Sequence, residues 1–342
     1  MRETQFRNKI TWFSFAFSLL VIWVHSYNAV LYLGDTSLAA DMVSRIERGL
    51  GEGVGQIAVP GFFMISGYLF YRNCTWDKIA SKLKRRVRSV LVPYIVWNFL
   101  YYLGYVIASR LPWLGQVVGK GVIPFNLLAA VDAIIHYTYN YVFWYLFQLV
   151  LLILLAPVLY PVLRMKGSRV VLFAFLWVCV ALDIRLPYVN ADALIYYSTG
   201  AVLSMETVWR ERVEAPVHSY LLGSLMAGAS ILVYWMGLRK IWIPCFVVCR
   251  LLGAASVWLL IPGESLPKAR PYMHANFFLY ATHFAQVRLI NKVGARFFTG
   301  SPAVALGLYV LMPFLVLGIT WPVGKMLQKS MPSVWGMLNG GR

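Results

Sequence analysis

Val59-Pro60-Gly61-Phe62-Phe63-Met64-Ile65-Ser66-Gly67-Tyr68-Leu69 is the stretch on which the fold turns. It carries no charge, so it reads as the middle of an apolar span over 54–71. Glycines at 49, 51, 53 and 55 lead into it. A dense basic segment follows, holding Arg72, Lys78, Lys82, Lys84, Arg85, Arg86 and Arg88. Upstream, a histidine, His25, lies deep in the first apolar span. These features read together as one site, a polar pair in the membrane with a cationic mouth beneath it.

Composition supports the membrane reading. Of 342 residues, 60% are hydrophobic and 13% charged, and mean hydropathy is +0.66. A soluble chain is about half apolar and about a quarter charged. The net charge of +18, from 31 Lys+Arg against 13 Asp+Glu, would suggest nucleic acid in a soluble protein. Here the basic residues fall between apolar spans, where they set topology and attract anionic head groups or ligands. With no basic amphipathic domain outside the spans, nucleic acid is excluded as a partner. Cys179, Cys245 and Cys249 lie in apolar runs and Cys74 beside the basic segment. Cys245 and Cys249 share a helix face, but no histidine or carboxylate lies near enough in sequence to complete a metal site, so no metal is expected. The N-terminal apolar run is too long for a cleavable signal and lacks a small-residue cleavage pattern.

About ten runs are long enough to cross a bilayer as helices: 10–33, 54–71, 89–109, 142–163, 170–186, 191–204, 219–236, 241–261, 273–291 and 302–326. Residues 125–137 read as a short interfacial or re-entrant helix. The expected fold is an all-α polytopic membrane protein with one domain over 1–342. Ten crossings place both termini on one side, together with twenty of the 31 basic residues, against ten on the other. The basic side is expected to be cytoplasmic, giving cytoplasmic N and C termini and a multi-pass plasma-membrane protein.

Titratable groups inside spans are costly and ask for a reason. His25 lies about fifteen residues into its span, roughly 22 Å at 1.5 Å per residue, with Asn28 three positions on along the same face. A histidine there either bonds a neighbouring helix or takes a proton from an acceptor hydroxyl. Ser66 is a nucleophile, a substrate hydrogen-bonder, or a small residue where helices approach, as Ser66-Gly67 would favour. His283, with Asn276 and Gln286 nearby, is a second site histidine or a helix-bridging donor. Arg250 stands mid-span without a carboxylate in its own span, which leaves Asp183 or a bound anion as its partner. The run from Lys82 to Arg88 either fixes topology or holds a phosphate-rich ligand. His136, His218 and His274 lie at span ends or in loops, where solvation explains them.

Several of these residues resemble one family in order along the chain. The resemblance is carried by Val21-Ile22-Trp23-Val24-His25, by Phe62-Phe63-Met64-Ile65-Ser66-Gly67-Tyr68-Leu69, and by Arg85-Arg86-Val87-Arg88 leading to Pro93-Tyr94. It continues in Phe143-Trp144-Tyr145-Leu146 running to Pro157 and in Phe277-Phe278-Leu279-Tyr280 running to His283. Nearly the whole chain thereby resembles the acyltransferase-3 family of integral membrane acyltransferases, O-acetyltransferase-like proteins that acylate extracytoplasmic glycans and related acceptors. The resemblance implies transfer of an acyl group, acetyl first of all, from acyl-CoA to a hydroxyl of a glycan or lipid-linked acceptor. It implies a bacterial inner membrane, His25 as general base or transient acyl carrier, and Asn28 or Ser66 orienting it or steadying the oxyanion. His283 joins them as a second site histidine. Arg85, Arg86 and Arg88 would take the nucleotide end of acetyl-CoA. The family usually places an arginine eleven residues before the histidine, and here that position is Ser14; Arg250 is expected to supply the charge from its own span.

Two other classes stay open on the sequence. One is a transporter of a small, amino-acid-like solute, disfavoured by the lack of an internal repeat or paired broken helices. The other is an inactive family member with a binding role, to which Ser14 lends weight. The acceptor, the acyl chain length and the oligomeric state are beyond the sequence.

Overall fold

A computed structural model of the chain describes residues 3–112, 114–115, 119–214, 220–240 and 242–341. The described residues form helices and connecting turns, with no strand among them. In chain order the α-helices begin with Glu3–Val24 (α1), Ala29–Leu33 (α2), Leu38–Arg48 (α3), Ala58–Tyr71 (α4), Ile79–Arg86 (α5) and Val92–Ala108 (α6). Leu127–Ile135 (α7), Trp144–Leu154 (α8), Ala156–Arg164 (α9), Lys166–Ala181 (α10), Ala191–Met205 (α11) and Thr207–Glu214 (α12) follow. Tyr220–Lys240 (α13), Ile243–Leu260 (α14), Asn276–Phe298 (α15), Pro302–Ser330 (α16) and Pro332–Leu338 (α17) complete the series, apart from a single turn, Pro271–His274, ahead of α15.

Two compact units emerge. The first comprises Met1–Ile79 and Leu155–Trp321, the second Ala80–Leu154 and Pro322–Arg342. Six helical runs among the described residues are long and apolar enough to cross a membrane: Glu3–Leu33, Leu38–Tyr71, Trp76–Ala108, Tyr220–Arg239, Ile243–Leu260 and Pro302–Ser330. A seventh is added if Tyr141–Leu154 and Ala156–Arg164 count as one. The expected ten are therefore not all matched. Helices do form at three further expected spans, but α10 and α11 have only 16 and 15 residues, and α15 carries Arg288, Lys292 and Arg296. Residues 219 and 241, where two expected spans begin, lie outside the described residues.

Two loops of the sequence reading are helical. The glycine-rich approach is a π-helical segment, Gly49–Val54, and a 3-10 turn, Gly55–Ile57, which join α3 to α4. Glycine serves close approach here: a Cβ on Gly51 would stand 2.1 Å from the Tyr27 hydroxyl, and one on Gly55 2.6 Å from a Val24 methyl. The basic segment is likewise helical, α5 continuing through the π-helical Val87–Leu91 into α6. Arg72 does not belong to a loose cationic cluster at all. Its guanidinium bridges Glu214 at 2.7 Å and Glu3 at 2.9 Å and lies over the Phe6 ring.

In the first unit, α1 runs antiparallel to α4, with Val24 against Gly55, Phe17 against Gly61 and Phe6 beside Tyr68. Its other side packs on α15 and α16 through Phe15, Ile22, Leu279, Val287 and Met312. On the face of α4 that meets α11, the two backbones nearly touch. A Cβ on Gly67 would sit 2.1 Å from the Tyr197 carbonyl oxygen, and one on Gly200 2.0 Å from that of Met64. Without a hydrophobic drive between helices in lipid, such small-residue crossings carry the association. Gly200→Ala is accordingly expected to cost about 1–3 kcal/mol by overpacking, read as a lower midpoint in thermal unfolding of the purified protein; an unchanged midpoint would show that the crossing yields freely.

In the second unit, Tyr102 and Val106 of α6 pack on Ala133 of α7 and on Ile123. The expected short helix over 125–137 is α7, started by Asn126, whose side chain accepts from the Ala129 N–H at 2.8 Å. Leu127 and Leu128 stay about four-fifths exposed, as an interfacial helix would hold them. The Trp97 indole donates to the Leu338 carbonyl and joins α6 to α17.

Candidate functional site

His25 stands where α1 ends. Its N–H still reaches the Val21 and Ile22 carbonyls at 3.2 and 3.1 Å, but residues 26–28 leave the helix before α2 begins. The expected shared helical face of His25 and Asn28 is therefore absent, because a break separates them. A carboxylate supplies what the break leaves open. Glu47 of α3, 2% exposed, accepts from the Asn28 N–H at 2.9 Å and the Ala29 N–H at 3.3 Å, two of the donors at the start of α2. The Asn28 amide donates to the Ala305 carbonyl at 3.1 Å and to Asn291 Oδ1 at 3.4 Å, and Asn291 donates to the Ser26 carbonyl. The Tyr309 hydroxyl closes the cluster on the Glu47 carbonyl at 2.9 Å. Asn28 thus braces the turn after His25.

His283 approaches from α15. The two imidazole rings lie 5.6 Å apart at 37°, and the Phe284 ring meets His25 edge-on at 5.8 Å. His283 is 1% exposed, and its Nδ1 contacts the Tyr280 carbonyl at 2.5 Å. A carbonyl only accepts, which assigns the ring proton to Nδ1 and the lone pair to Nε2. Among the described residues Nε2 has no hydrogen-bond partner. A buried acceptor left open beside a second imidazole is suited to a proton donor brought in from outside.

Ser66 is elsewhere. Phe17 meets Gly61, so His25 lies eight residues to one side of that contact and Ser66 five residues to the other. At 1.5 Å per residue the two are roughly 20 Å apart along the bundle. Ser66 adjoins Gly67 at the α4–α11 crossing, the packing alternative of the sequence reading.

Asp183, one partner expected for Arg250, is exposed, and among the described residues no carboxylate lies within ion-pair distance of Arg250; Asp192 and Tyr196, at the start of α11, feel its charge. Gly253 of α14 packs on Ile57 and Trp258 on Phe13, so Arg250 is eight residues, about 12 Å, from the level at which Ser14 sits. It does not replace a charge at position 14. The Ser14 carbonyl instead accepts from Asn276 at 3.1 Å. The cation buried in this region is Lys9, 4% exposed, donating to the Trp258 carbonyl at 2.8 Å and lying 4.2 Å from the Trp258 ring centroid.

Arg85, Arg86 and Arg88 belong to the second unit, on α5 and the π-helical turn after it; Arg85 and Arg88 are exposed and Arg86 is half-buried. His136 pairs with Asp132 at 2.9 Å on an open surface, His274 is exposed, and His218 lies outside the described residues. No group of three or more His, Cys, Asp or Glu among the described residues could hold a metal ion. A cavity of about 570 Å³ lies among α1, α4, α11, α12, α13 and α14, and His25 is not in its wall.

The family described as an acyltransferase domain matches residues 14–325, a span that takes in His25, Asn28, Ser66, Arg85, Arg86, Arg88, Arg250 and His283. The chain belongs to the acyltransferase-3 family. Among curated proteins it is similar to the succinoglycan biosynthesis protein ExoH of Rhizobium meliloti (strain 1021), 25% identical over 311 residues, covering 86% of this chain and 81% of that protein. No solved structure matches it. In this acyltransferase-3 chain the structure brings together His25 and His283, sets Asn28 as a brace in the turn after His25, and leaves Ser66 apart from them. The sequence reading missed Glu47 and Lys9. A signal for Glu47 was present, a carboxylate between two arginines in an amphipathic run, but it reads equally as a solvated face.

Proposed function

We propose that this membrane acyltransferase moves an acyl group, acetyl first of all, from acyl-CoA on the cytoplasmic side to a hydroxyl of an extracytoplasmic polysaccharide or its lipid-linked precursor. The observation that carries this reading is the His25–His283 pair at the broken end of α1, within a chain of an acyltransferase family. In the reaction, His25 removes the proton from the acceptor hydroxyl as its oxygen attacks the thioester carbonyl. The carbon–sulfur bond breaks, and the imidazolium returns its proton to the departing thiolate. His283, its lone pair on Nε2, acts beside His25, and Asn28 fixes the backbone that carries it. Arg85, Arg86 and Arg88 hold the phosphates of the donor through charge-assisted, forked hydrogen bonds. Ser66 belongs to the helix crossing.

The acceptor class is supported by the relative's name, which places ExoH in succinoglycan biosynthesis. The basic-residue asymmetry supports cytoplasmic termini in a bacterial inner membrane. The test is direct. Full-length protein in phosphatidylcholine nanodiscs, given radiolabelled acetyl-CoA and envelope polysaccharide, should place label on the glycan in base-labile ester linkage. Label that never leaves the thioester, alongside solute uptake by sealed vesicles of the same protein, would overturn the proposal in favour of a transporter.

A further inference from the structure

The cavity in the first unit is unused by the reaction above. Its volume, about 570 Å³, falls in the range of ligand pockets. Phe6, Ile10, Phe13 and Phe17 line its length along α1, eleven residues or about 16 Å, close to one leaflet of a hydrocarbon core about 30 Å thick. The inner end is lined by Phe17 and Gly61, both buried. At the other end stand Trp209, 46% exposed, and Arg212, also exposed.

The polar groups of the wall are already engaged. Thr199 donates to the Ile195 carbonyl, and the Tyr68 hydroxyl donates to Glu214 at 2.6 Å. Nothing in the interior is left to orient a polar guest, so the interior suits hydrocarbon. The mouth differs. Arg72 and Arg169 have carboxylate partners, but Arg212 has none among the described residues, and its guanidinium rests over the Trp209 ring at 5.3 Å. An unpaired guanidinium beside an indole at the open end of an apolar slot one leaflet deep matches an anionic lipid, phosphate outside and chain within.

We infer that this cavity is a binding site for one chain of an anionic membrane phospholipid, with Arg212 holding its phosphate. The site is separate from His25 and does not depend on the acyl-transfer reading. Trp258 in the wall provides the readout, because bromine on a lipid chain quenches indole fluorescence only at short range. The full chain is placed in phosphatidylcholine nanodiscs containing increasing fractions of phosphatidic acid brominated along its chains, with brominated phosphatidylcholine as the neutral control.

Phosphatidic acid should quench at lower mole fraction than phosphatidylcholine. Arg212→Ala, on the exposed rim, should weaken that preference about fivefold, the scale of an accessible ion pair. Ala255→Phe, which fills the slot, should remove the saturable part of the quenching with either lipid. Equal quenching by the two lipids, unchanged by Arg212→Ala, would leave only bulk partitioning and overturn the site; so would saturable quenching that survives in a folded Ala255→Phe protein. If Ala255→Phe fails to fold, Arg212→Ala alone decides.

Discussion

His25→Ala is expected to lower acyl transfer by about 10²–10⁴-fold, the range over which a positioned general base contributes. The imidazole follows the last turn of α1 and meets the His283 and Phe284 rings, so its removal takes away the proposed proton acceptor. The measurement is ester formed per unit time on glycan from radiolabelled acetyl-CoA, with the helical circular dichroism and unfolding midpoint followed in parallel. Activity lost while the midpoint holds assigns the chemistry to the side chain. Activity retained would remove His25 from the reaction, and with it the reading of the pair.

The second large effect belongs to Glu47. Its carboxylate receives two buried backbone N–H groups at the start of α2. Glu47→Leu leaves both without a partner at about 1–3 kcal/mol each, so a loss of about 3 kcal/mol is expected. Glu47→Gln keeps the shape but has only one acceptor oxygen, and should cost about half as much. Because these N–H groups fix the chain three residues past His25, both variants should lower kcat more than they raise KM. Unfolding midpoints and steady-state rates check this together. A stable Glu47→Leu protein with wild-type kcat would show that the turn holds its form without the carboxylate.

What could be read beforehand follows from which partners a residue has. The long apolar runs announced membrane helices because lipid allows hardly anything else, and α1, α4, α6, α14 and α16 follow. His25 and His283 stood out because imidazole inside a span is costly. Glu47 did not, since its partners are main-chain donors nineteen and eighteen positions away, and main-chain atoms have no letter in a sequence. Lys9 was hidden in the same way, its acceptor being the Trp258 carbonyl. Gly49 to Gly55 read only as a glycine-rich approach to the span, whereas close approach to Tyr27 and Val24 decides the use of Gly51 and Gly55. Ser66 was drawn toward His25 by its motif; the antiparallel pairing of α1 with α4, invisible until the helices pack, moves it away.

The six-residue segment Gly49–Val54 winds more widely than the α-helices on either side. Each residue in an α-helix advances about 100°, so the number of residues in this segment determines where the face of α3 bearing Glu47 points relative to α4. Shortening the segment by one residue would swing that carboxylate about a quarter-turn off the start of α2 while leaving the hydrophobicity of the run untouched. The turn after His25 is thus phased by a glycine segment that also packs against Val24 and Tyr27 on either side of it, and length in that short stretch is held as tightly as the smallness of its side chains.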